Sequence, residues 1–171
     1  MTVYELFGRL PAGQAGEVFS WFHDRDRAAY RACVGLLANR RKLRPVFVER
    51  KPRDERHAWM KDALSRPANA DIAGEVLQGW ILGAHTKMVL DFLEELKIAH
   101  DGKGLIEDLP AEPPAESVSL AVENLLRAHP PGAVMVYLNL FAGMDDSDWP
   151  HLKTLVASDP RLCPDPQTTS P

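Results

Sequence analysis

Apolar residues recur at intervals of three and four along most of this chain, the period of a helix with one buried face. Tyr30, Cys33, Val34 and Leu37 fall at i, i+3, i+4 and i+7. Met88, Val89, Phe92, Leu93 and Leu96 form the clearest stripe, with Lys87, Asp91, Glu94, Glu95 and Lys97 off that face. The same pattern predicts a helix over about residues 53–65 burying Met60 and Leu64. Others hold Ile72, Val76, Leu77, Trp80 and Ile81, then Val118, Val122, Leu125 and Leu126, and finally Leu152, Leu155 and Val156.

Polar and proline positions punctuate these stripes. Thr2 and Glu5 fit a capping box, in which the hydroxyl and carboxylate satisfy the first free amides of a helix. That helix stops before Pro11, which suits the first position of the next, running to about His23. Asp24 or Asp26 can cap the third helix, Asn69 or Asp71 the one after Pro67, and Asp145-Asp146-Ser147-Asp148 the last. A break is expected near Gly83, and Asp101-Gly102-Lys103-Gly104 reads as a turn. Two segments are open between helix and strand. Val46-Phe47-Val48 has strand-like side chains but no partner strand, so one or two helical turns are expected over residues 45–51. Residues 133–144 are apolar nearly all round and are assigned to a buried helix.

The predicted fold is all-α, built of stacked helical hairpins as an irregular bundle or a short α-solenoid-like array, with about 7–9 helices. Ala15-Gly16-Glu17-Val18 recurs as Ala73-Gly74-Glu75-Val76, an offset of 58 residues that also aligns Glu49 with Glu107 and Pro52 with Pro110. Repetition of a hairpin or chance among common residues would both produce this echo. Residues 1–159 are expected to form one helical domain. The acidic, Pro-rich stretch 108–114 could link subdomains 1–109 and 115–159, and 160–171 reads as a disordered tail.

Composition narrows the class without naming a function. Two cysteines, Cys33 and Cys163, argue against a disulfide framework. No secretory leader is apparent and no apolar run approaches the ~20 residues of a membrane span, so a cytoplasmic location without membrane contact is expected.

Motifs that carry chemistry are missing from the sequence. There is no GxxxxGK[ST] loop, GxGxxG, GxSxG, HExxH or CxxC. Cys33 lies among apolar neighbours, which raise a thiol pKa and suit a core residue better than a nucleophile. Glu94-Glu95 are adjacent on a helix and point apart, as solvated residues do. The six histidines (His23, His57, His85, His100, His129, His151) fall at predicted helix ends or first turns, where surface and capping roles account for them. No cofactor and no metal are expected, and no catalytic residue is assigned.

One feature stands above background. Residues 24–66 carry thirteen Lys/Arg against six Asp/Glu, whereas residues 67–171 carry six against sixteen. Arg40, Arg41, Lys42, Arg44, Arg50, Lys51, Arg53 and Arg56 concentrate the positive charge around two proline corners, with Phe47 between them. Such a patch can dock an acidic protein partner, pair with the acidic part of the same chain or of a second copy, or grip nucleic-acid phosphates while Phe47 stacks a base. The expected function is a non-catalytic helical protein-interaction or scaffolding module, with a protein partner or self-association. The alternatives are nucleic-acid binding through Arg40–Arg56, which a pI near 5.9 weakens, and a helical-bundle metalloenzyme with His/Asp ligands drawn from several helices.

Overall fold

A computed structural model describes residues 1–144 and 148–163. Helix α1 spans Val3–Arg9, α2 Ala12–Arg25, α3 Arg27–Arg40, α4 Pro45–Glu49 and α5 Arg53–Leu64; a short 3-10 turn, Pro67–Asn69, leads into α6, Ala70–Ala84. Then follow α7 Thr86–Glu95, α8 Ala115–Ala128, α9 Pro131–Ala142 and α10 Pro150–Ser158. The protein is all-α: no strand occurs among the described residues, and both ambiguous segments are helical, as α4 and α9.

Local chemistry sets many of the boundaries. Thr2 Oγ1 accepts from the Glu5 amide and the Glu5 carboxylate accepts from the Thr2 amide, so the capping box is closed. Asp26, not Asp24, caps α3 by accepting from the Ala29 amide at 3.0 Å, and Asp24 instead meets His23. Gly102 and Gly104 both have positive φ. A Cβ at Gly104 would lie 2.8 Å from Val89 Cγ1, so this turn requires glycine for space as well as for backbone conformation.

The chain forms two compact units, Thr2–Trp80 and Ile81–Asp165. In the first, α1 and α2 pack against α5, and α3 packs against α2, α4 and α5. Phe7 and Phe19 stack at 5.7 Å in a core that also buries Leu6, Leu10, Val34, Leu37, Met60 and Leu64. Gly79 of α6 lies against the Phe22 ring, where a Cβ would come within 3.1 Å.

In the second unit α8 packs against α7, α9 and α10, and α9 against α10. Phe92 is fully buried and meets Tyr137 and Phe141 edge-on, each at 5.5 Å; Trp149 joins Phe141 at 5.0 Å. The expected linker 108–114 lies within this unit. Pro110 O accepts from Trp149 Nε1 at 3.0 Å, and the Glu112 carboxylate accepts from the amides of His151 and Leu152. Glu112 therefore caps α10, while residues 145–147 of the predicted Asp cap lie outside the described residues. Of the expected tail, 160–163 form a turn in which Leu162 is buried and its carbonyl accepts from Asn139 Nδ2 at 2.8 Å. Residues 164–171 lie outside the described residues. Among the described residues, no helix is long and apolar enough to cross a membrane.

Candidate interaction surface

The basic segment begins where α3 ends. Lys42 has φ 55°, its amide donates to Asn39 O and the Leu43 amide donates to Ala38 O. This is a Schellman ending, in which a left-handed residue turns the chain and satisfies the last helix carbonyls. The end of α7 repeats it, with Lys97 at φ 57° and the Ile98 amide bonded to Leu93 O. The residue after the left-handed position commonly makes an apolar contact back onto the helix. Ile98, in that position after α7, is 4% exposed, whereas Leu43 is 41% exposed. The contrast marks Leu43 as an apolar side chain without that cover.

Pro45 then starts α4, whose Val48 is buried while Val46 and Phe47 face solvent, Phe47 at 58% exposure. Leu43 and Phe47 are four residues apart, and Arg44 and Arg50 each lie three residues from Phe47.

The nine residues singled out from sequence divide into two groups. Five are engaged within the first unit. Arg40 makes a bidentate pair with Asp71 at 2.9 and 2.7 Å and also bonds Asn69 Oδ1 and Ala68 O. Its guanidinium holds the Asp71 carboxyl down to about 2, helped by the Ile72 amide. Arg41 pairs with Asp62 and lies 5.3 Å over the Trp59 ring; Asp62, which also binds Arg66, is held below the usual carboxylate range. Arg53 lies 3.7 Å from Asp24, Lys51 lies 3.6 Å from Glu55, and Arg56 donates to Glu49 O and sits 5.6 Å over Tyr30. The other group is Lys42, Arg44, Arg50 and Phe47. These three cations are exposed and have no ion-pair partner within 4 Å among the described residues. Along the chain they are interspersed with the exposed Leu43, Val46 and Phe47.

Two concavities lie elsewhere in the first unit. A groove of about 240 Å³ has α3 and α6 as walls and is lined by Phe19, Tyr30, Cys33, Met60, Ile72 and Glu75. Burial pushes the Cys33 thiol up to about 12, with the Glu75 charge adding to the shift, so it is no nucleophile near neutral pH. A wider cleft is lined by small residues of α1 and α2, by Asp54, His57 and Lys61 of α5, and by Ser65, which follows α5.

His57 corrects an expectation. It is the fifth residue of α5 and 8% exposed, not a surface or helix-end residue, with its ring 5.3 Å from Phe19 and 6.3 Å from Tyr30. Among the described residues its Nε2 has no hydrogen-bond partner. Desolvation, reinforced by Arg53 and Arg56, lowers its pKa to about 4, so the ring is neutral at pH 7. The signal was available, since His57, Met60 and Leu64 share one helical face.

Other histidines have local polar partners. His129 meets Asp91 at 2.7 Å, His151 meets Ser119 Oγ at 2.9 Å, and His100 Nδ1 accepts from the Gly102 amide. Among the described residues, no three His, Cys, Asp or Glu side chains gather as a metal site would require. No protein-family model, no curated protein and no solved structure matches the chain.

Proposed function

We propose that this chain is a non-catalytic helical protein-interaction module that docks an acidic protein partner through the α3–α4 corner. The observation that carries the reading is the set Lys42, Arg44 and Arg50, exposed and unpaired among the described residues and interspersed in sequence with exposed Leu43, Val46 and Phe47. Binding surfaces draw most of their energy from a buried aromatic or Arg anchor, while surrounding charges steer approach and reject unsuitable partners. Phe47 has the anchor's role and the three cations have the steering role. Arg40, held by Asp71 and the Ala68 carbonyl, and Arg41, held by Asp62, tie down the end of α3 from which the corner starts.

Fluorescence anisotropy with a labelled peptide of alternating Glu and Leu turns tests this against a labelled single-stranded oligonucleotide. The peptide should bind more tightly, weaken as salt rises, and lose at least tenfold in affinity to Phe47→Ala and to the Arg44→Glu/Arg50→Glu pair. Binding of the oligonucleotide alone, with a steep salt slope, would replace this reading with nucleic-acid recognition.

A further inference from the structure

We infer that the acidic partner is a second copy of this chain, whose α8 face around Leu120 receives the Phe47 corner. This deepens the proposed function and rests on it.

The complement is visible residue by residue. Leu120 is 56% exposed in the middle of α8, although it sits on an otherwise well-packed helix. Exposed Glu116 lies one turn before it, whereas Glu123, three residues after it, is already paired with Arg161, so the open carboxylate beside Leu120 on this helix is Glu116. Asn124 Nδ2 donates to Glu95 Oε1 at 2.6 Å, which fixes a third carboxylate beside the same face. Glu94 next to it is exposed. Arg161 is held between Asp159 and Glu123, and Arg127 lies at the far end of α8.

Whole-unit charge runs the same way. Residues 2–80 carry fourteen Lys/Arg against ten Asp/Glu, and residues 81–171 carry six against fourteen. Each copy thus offers one basic apolar corner and one acidic apolar face. Like meets unlike, so the contact is heterologous: every bound copy leaves a corner and a face open, and assembly continues until it closes as a ring or extends as a filament. Surface charges act over roughly 8 Å at physiological salt, so the attraction is short-ranged and salt-sensitive.

Sedimentation velocity on the full chain should show mass rising with concentration and returning toward the 19.0 kDa chain as salt increases. Two defective forms make the decisive measurement. Arg44→Glu/Arg50→Glu removes the corner and keeps the face; Glu116→Lys/Leu120→Lys removes the face and keeps the corner. Each alone should stay monomeric, and their mixture should stop at a one-to-one pair of twice the chain mass. All four positions changed are exposed, and unchanged circular dichroism confirms that both forms are folded. A wild-type chain that is monomeric at every concentration, or a mixture that never pairs, overturns the inference. If the Glu/Leu peptide still binds the corner in that case, the protein-docking reading survives; if the peptide also fails, both fall.

Discussion

Phe92 has no exposed surface and touches two further aromatic rings edge-on. Truncation leaves a cavity that rigid neighbours cannot fill, so Phe92→Ala should cost about 3–5 kcal/mol, read from urea unfolding midpoints at constant m-value. His57 makes a pH-dependent prediction. Its folded pKa lies near 4 against about 6.5 when unfolded, so between those values the unfolded chain binds more protons. Stability contributed by the neutral ring is complete above about pH 6.5 and falls as pH drops toward 4, by on the order of 3 kcal/mol. The groups facing it are Arg53, Arg56, Asp54 and His23. His57→Gln should flatten that part of the stability profile relative to wild type. Identical slopes in the two proteins would place the titration elsewhere.

Elements owe their ends to chemistry at different ranges. The Thr2 cap of α1 and the Asp26 cap of α3 lie within three residues of the amides they satisfy. The cap of α10 comes from Glu112, 39 and 40 residues away, whose carboxylate receives the His151 and Leu152 amides at 3.0 and 2.8 Å. Because α10 packs on both α8 and α9, losing that cap loosens more than one turn. Glu112→Ala should lower stability by about 1–2 kcal/mol in chemical denaturation, with Glu112→Gln milder because one acceptor remains. Equal losses for the two variants would show that shape, and not the hydrogen bonds, holds α10. The segment carrying Glu112 was legible as acidic and Pro-rich, but its role was not, because no local pattern reports a partner so distant along the chain.

At the scale of the whole molecule the basic segment divides into cations paired within the first unit and cations without such partners among the described residues. Arg40 and Arg41 are committed to Asp71 and Asp62, whereas Arg44 and Arg50 have no such partners among the described residues. Charge reversal at Arg40 and Arg41 should therefore lower the melting temperature, and reversal at Arg44 and Arg50 should lower peptide affinity while leaving the melting temperature unchanged. Differential scanning calorimetry and anisotropy on the same two variants check this together. A drop in melting temperature for the second pair would assign Arg44 and Arg50 a structural role.

The sequence by itself determined which stretches are helical, where most of them stop, and which stripes turn inward, because hydrogen bonding along a helix and apolar periodicity are both local in the chain. It also located the basic corner. Tertiary structure alone decided which of those cations are neutralised, that His57 is enclosed by Phe19 and Tyr30, and that Glu112 caps α10. Each of these depends on contacts between residues far apart in sequence, and electrostatic and desolvation energies are set by the atoms that surround a group in space.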